Sequence, residues 1–114
     1  MLGNFSFSAY FKEEAISYCW ELLTSKCYFN IPRDKICVTV NHCDPETYKI
    51  WKKKIGLSSN NIIVNGTKNN SINESENFWQ MGETGPCGPS TEIFYHIDQS
   101  ESNLRDISLP KLQK

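Results

Sequence analysis

No stretch of the chain approaches the roughly 18 apolar residues that a membrane-crossing helix needs. The first residues also lack a basic run leading into an apolar core. Neither a membrane partner nor a signal peptide is therefore expected. Charge of one sign is missing too: 12 Lys and Arg stand against 13 Asp and Glu, a formal net charge of −1. That excludes the basic footprint of a free-standing nucleic-acid binder, and no DNA partner is expected. There is no paired C-x-x-C. The five cysteines are odd in number and irregular in spacing. Without a secretory signal they read as reduced thiols in a cytoplasmic setting. Cys37, His42 and Cys43 lie near one another but lack a fourth ligand, so no zinc or other metal site is expected. No internal repeat is present. The 114 residues allow one small domain or part of a larger one.

What is present reads as alternating helices and strands. Residues 2–7 alternate weakly, as the end of a strand. Ser8 is a candidate cap for a helix from about Ala9 to Thr24. Phe11, Ala15, Cys19 and Leu22 recur there at helical spacing, widened by Ile16, Trp20 and Leu23. Ile36–Val40 reads as a strand. Asp44 then reads as a helix cap with Pro45 in the first helical position, and Gly56 follows the end near Ile55. Lys52, Lys53 and Lys54 fall in the last turn, where cations suit the helix dipole. Trp51 and Ile55, with Thr47 or Tyr48, form the docking side. Asn61–Val64 reads as another strand, so 36–64 is expected to form a small βαβ-like unit. Residues 65–76 are polar and Asn-rich, an exposed loop. The tail 98–114 has no clear period and is expected to be poorly ordered.

The most informative run is NFWQMGETGPCGPSTEIFY, Asn77 to Tyr95. Pro86 and Pro89 fix φ and remove two backbone donors. Gly82, Gly85 and Gly88 permit backbone angles that other residues avoid. Phe78, Trp79 and Met81 before the turn, and Ile93, Phe94 and Tyr95 after it, read as strands. A rigid turn carrying Glu83, Thr84, Thr91 and Glu92 suits a pocket wall. Its small residues admit a ligand to the backbone, and its carboxylates can meet an ammonium group or a metal ion. Glu92 is costly to bury unpaired, so it faces either a pocket or a basic partner.

This run resembles the alanine–tRNA ligases, which are class II aminoacyl-tRNA synthetases. The opening MLGNFSFSAYFK is similar to the end of that family's motif 2, and KEEAISYCWELLT, ICVTV, ETYKIWKKKIGL and NIIV follow in the family's order. The resemblance covers roughly residues 1–96. It implies an α+β fold: part of the class II antiparallel sheet flanked by helices, with residues 1–97 forming a partial catalytic domain. It also implies ATP-dependent activation of alanine to alanyl-adenylate and transfer to tRNA(Ala). Alanine, tRNA(Ala) and ATP with Mg2+ are the implied ligands.

The same resemblance assigns an alanine/adenylate pocket to Trp79, Glu83, Thr84, Gly85, Thr91 and Glu92. Trp79 matches a tryptophan that limits pocket size; the alternative is a core aromatic beside Phe78. Glu83 stands where the family has Asp; the alternative is a solvated loop carboxylate. Gly3, Asn4, Phe5, Phe7, Pro86, Cys87 and Gly88 are site-supporting. Cys87 has no evident base partner, since His42 and His96 lie in other segments, so no residue is singled out as catalytic. Ser8-Ala9 replaces the family's Gly-Asp, and His96 replaces an Asp. Motif 1, the motif 2 arginine that grips ATP, and motif 3 with its second arginine have no counterpart here. The chain alone is therefore expected to be inactive, needing the rest of the ligase polypeptide or a complementary chain. The alternative is a non-catalytic remnant or paralogue that binds tRNA or a ligase subunit.

Overall fold

The organising element of the computed structural model, which describes residues 6–97, is a strand in which every residue is buried. This strand, β1 (Ile36–Asn41), is the middle of a three-stranded sheet. On one side it pairs in parallel with β2 (Ile62–Asn65), Val38 facing Ile62. On the other it pairs antiparallel with β5 (Thr91–Tyr95), Val38 facing Ile93 and Thr39 facing Glu92. A separate hairpin joins β3 (Phe78–Gln80) to β4 (Cys87–Pro89), with Trp79 opposite Gly88. The α+β class and the βαβ unit are as the sequence indicates. The larger sheet is mixed because the βαβ crossover makes its two strands parallel.

The crossover helix α2 starts at Pro45 and is capped by Asp44, which accepts hydrogen bonds from the Thr47 amide (3.2 Å) and hydroxyl (2.6 Å). After Lys49 it widens into a π-helical turn, Ile50–Lys54. Gly56 then turns the chain at φ 77°, and the Leu57 amide donates back to the Trp51 carbonyl (3.0 Å). Strand alternation sends Ile36, Val38 and Val40 to one face. They pack there with Ile16 and Trp20 of α1 (Lys12–Thr24), with Ile50 and Trp51 of α2, and with Leu57 and Ile62. Trp20 and Trp51 meet edge to face, 5.9 Å between centroids.

The start of α1 differs from expectation. Residues 6 and 7 are not in a strand, Ser8 is not the cap, and the helix begins at Lys12, not Ala9. Ser6 Oγ accepts from the Ala9 and Tyr10 amides (3.2 and 2.9 Å), which holds them in a local turn. Ser8 sits at φ 62°, outside helical geometry. Phe11 is the N-cap and offers no side-chain acceptor. The expected apolar stripe is also narrower: Ile16 and Trp20 are buried, whereas Phe11 and Leu22 are exposed.

The polar segment 65–76 is exposed over most of its length, as expected, but it is pinned at both ends. A short 3-10 turn (Ile72–Glu74) carries a Ser71/Glu74 capping box. Ser75 is buried and donates to the Asn65 carbonyl (3.0 Å). Cys87–Pro89, expected within the loop, is a strand; the turn proper is shorter and is closed by the Met81 amide on the Pro86 carbonyl (3.3 Å). Gly3, Asn4, Phe5 and the 98–114 tail lie outside the described residues.

Candidate functional site

The sheet face turned away from the helices is polar, and its centre is Asn77, which is 1% exposed. Its Nδ2 donates to Thr39 Oγ1 (2.8 Å), and its Oδ1 accepts from Asn65 Nδ2 (2.7 Å). Its carbonyl accepts from Asn41 Nδ2 (3.0 Å) and from the Ser90 amide (2.9 Å). Its own amide donates to Ser75 Oγ (3.2 Å). A buried amide is tolerated only when its donors and acceptors are met, and every polar group of Asn77 has a partner. Three sheet residues, Thr39 and Asn41 on β1 and Asn65 on β2, thus fasten the start of the β3–β4 hairpin.

Trp79 lies two residues beyond this anchor, so its Cα is within about 7 Å of that of Asn77. It is 46% exposed, outside the buried core. Its indole covers Gly88, where an added Cβ would stand 3.5 Å from Nε1. An added methyl would meet the ring at ordinary van der Waals distance. Glu83, Thr84 and Gly85 are exposed at the hairpin tip, where Gly82 and Gly85 take φ of 153° and 125°. Those angles favour glycine. Pro86 supplies the carbonyl that closes the turn, and Cys87 is exposed opposite Gln80.

Thr91 and Glu92 are adjacent on β5 but point to opposite faces. The Thr91 hydroxyl donates to the Thr39 carbonyl (2.7 Å) and accepts from Trp51 Nε1 (2.9 Å), so it is engaged on the helix side. Glu92 lies opposite Thr39 on the polar side and is half-buried. No cation or donor among the described residues pairs with it. Trp79 and Glu92 are therefore referred to the same sheet position, Thr39, one through Asn77 and the other through strand register. Phe7 is 95% exposed and outside any strand.

Of the residues considered for zinc, Cys37 is buried on β1 opposite Phe94, whereas His42 and Cys43 sit at the strand's exposed end. Among the described residues, no three His, Cys, Asp or Glu side chains form a metal-sized group. Sequence reasoning missed the amide hub. Its signal was the alternation in ICVTVN, where Thr39 and Asn41 put polar groups on a strand buried on both sides.

A family model described as tRNA synthetases class II (A) matches residues 1–111. The alanine–tRNA ligase of Buchnera aphidicola subsp. Schizaphis graminum is 59% identical over 103 residues, covering 90% of this chain. That of Buchnera aphidicola subsp. Acyrthosiphon pisum is 62% identical over 95 residues, covering 83%. That of Wigglesworthia glossinidia brevipalpis is 50% identical over 109 residues, covering 96%. The chain spans 12%, 11% and 12% of the lengths of these relatives, respectively. The chain belongs to the class II (A) tRNA synthetase family.

Proposed function

We propose that residues 1–97 are part of the catalytic domain of an alanine–tRNA ligase and form one wall of its alanine/adenylate pocket. In the first step the alanine carboxylate attacks the α-phosphate of ATP, forming alanyl-adenylate and releasing pyrophosphate. Transfer of alanine to tRNA(Ala) follows. Positioning and charge stabilisation dominate such chemistry. The half-buried, unpaired Glu92 beside the hairpin that presents Trp79 carries this reading. Glu92 meets the alanine ammonium, and Trp79 limits the space for the side chain. Glu83, Thr84 and Gly85 close over the ligand from the hairpin tip. Thr91 holds Glu92 in place through its bond to β1, while Pro86, Cys87 and Gly88 shape the hairpin. Mg2+ accompanies ATP in this proposal and is not held by the described residues alone.

The pocket is completed by the rest of the ligase polypeptide or a complementary chain, in the cytoplasm. The outer side of α1 supports such a partner. Phe11, Tyr18 and Leu22 are exposed at helical spacing, and Tyr28 and Phe29 are exposed in the segment that follows. Such exposed apolar side chains could pack against a partner segment.

The test is a chimera in which this chain replaces the matching segment of the Buchnera ligase. Alanine-dependent exchange of pyrophosphate into ATP is expected to persist and to fall at least about tenfold with Glu92→Gln. A chimera that melts cooperatively yet shows no exchange would favour the non-catalytic remnant or paralogue.

A further inference from the structure

Asn65 and Gly66 form the single Asn-Gly pair of the chain. Glycine has no side chain to hinder its amide nitrogen, so in a free chain that nitrogen readily reaches the side-chain carbonyl of the asparagine before it. The fold calls for both residues. Gly66 takes φ 95°, and an added Cβ would come within 2.2 Å of His42 Nδ1. The imidazole lies against the Asn65 and Asn70 carbonyls, at 3.2 and 3.1 Å. Asn65 in turn supplies the amide that donates to Asn77 Oδ1 (2.7 Å). A chemically labile pair is thus required by the structure around it.

The same contacts keep the reacting atoms apart. Asn65 ends β2 opposite Asn41, in extended backbone. Ring closure needs the 65–66 peptide to turn until the Gly66 nitrogen lies beside Asn65 Cγ. That turn pulls the Asn65 carbonyl away from the His42 amide (3.0 Å) and Ser75 Oγ (3.0 Å), and the side chain must leave Asn77. Two of these three ties, Ser75 and Asn77, belong to the segment that leads into the β3–β4 hairpin.

We infer that Asn65 is a latent deamidation site, kept closed by the amide hub and opened when the hairpin segment lifts from the sheet. The Gly66 nitrogen, having lost its proton to water or hydroxide, attacks Asn65 Cγ. A C–N bond forms, the bond from Cγ to the side-chain nitrogen breaks, and that nitrogen leaves as ammonia. Water then opens the cyclic imide at either carbonyl, giving aspartate or isoaspartate; nothing is oxidised or reduced. Either product lacks the amide donor that met Asn77 Oδ1. Isoaspartate also lengthens the backbone by one carbon beside His42. The change is one-way: a chain that has opened here cannot rebuild the original tie between β2 and the hairpin segment.

The experiment incubates the full chain in mildly alkaline buffer, digests it and follows conversion of Asn65 to aspartate and isoaspartate by mass spectrometry. Conversion is expected to be at least about tenfold slower in the native chain than in urea, as for any group that reacts only through local opening. Asn77→Ala is then compared with Ile16→Ala, which loosens the helix side and leaves the hub intact. At urea concentrations giving equal unfolded fractions, Asn77→Ala is expected to convert at least about threefold faster, because opening is local. Converted chains are expected to unfold at a lower urea midpoint than unconverted ones. Equal rates in the native and urea-unfolded chain would overturn the proposal. So would equal rates in the two variants, or an unchanged midpoint after conversion.

Discussion

Truncating Asn77 to Ala tests the hub that fixes the candidate site to the sheet. The substitution keeps the backbone bonds to Ser75, Asn41 and Ser90. It removes the side-chain bonds to Thr39 and Asn65, at 2.8 and 2.7 Å. Each such bond contributes about 1 kcal/mol net, and a buried group left unpaired costs about 1–3 kcal/mol. The Thr39 hydroxyl can rotate, but the half-buried Asn65 amide loses its acceptor. The expected loss is therefore about 2–4 kcal/mol, a large part of the roughly 5–15 kcal/mol that holds a domain together. Urea unfolding followed by tryptophan fluorescence reads it as a lower midpoint with an unchanged slope. Combining Asn77→Ala with Asn65→Ala should give a coupling of at least about 0.5 kcal/mol, because the two side chains share one bond. A loss below about 0.5 kcal/mol, or strict additivity, would refute the hub.

Two further outcomes follow from local geometry. Ser8 occupies φ 62°, a conformation that costs a non-glycine residue about 1–2 kcal/mol. Ser8→Gly is therefore expected to raise stability by about 0.5–1 kcal/mol after its entropic cost, and an unchanged melting temperature would contradict that strain. Burial pushes the Asp44 carboxyl up, but the Thr47 hydroxyl and amide and the Lys12 ammonium outweigh it, so it lies below its ordinary value of 3.8. A depressed carboxyl stabilises the fold above that value and loses its contribution as the pH falls through the lower folded value. Asp44→Asn retains a capping oxygen but should flatten this acid limb of the stability–pH curve; an identical limb in the variant would place the titration elsewhere.

The parts of the fold that were legible in the sequence are those set by local rules. Asp44-Pro45 and Gly56 mark the ends of α2 because capping and left-handed turns depend on single residues, and the parallel pairing across it follows from the crossover. The start of α1 was not legible. Its first turn is displaced by a Ser6 side-chain turn and a positive φ at Ser8, which no periodicity reports. β4 was hidden because Gly88 and Pro89 are poor strand residues; it forms through pairing with β3. At the site, the Pro/Gly turn was visible, but the engagement of Thr91 by Trp51 and Thr39 depends on partners 40 and 52 residues away. Asn77 was read only as the start of the hairpin run. A hub becomes visible only when β1, β2 and that run are brought together.

Trp79, the proposed wall of the alanine pocket, offers the most direct test of the proposed function. In the Buchnera chimera, pyrophosphate exchange should be compared for alanine and for 2-aminobutyrate, which is one methylene longer. With Trp79→Ala, discrimination between the two is expected to fall by about 1–3 kcal/mol, or about 10–200-fold, the usual worth of one methylene in a tight pocket. An active chimera whose discrimination is unchanged by that substitution would contradict the placement of Trp79 beside the alanine side chain.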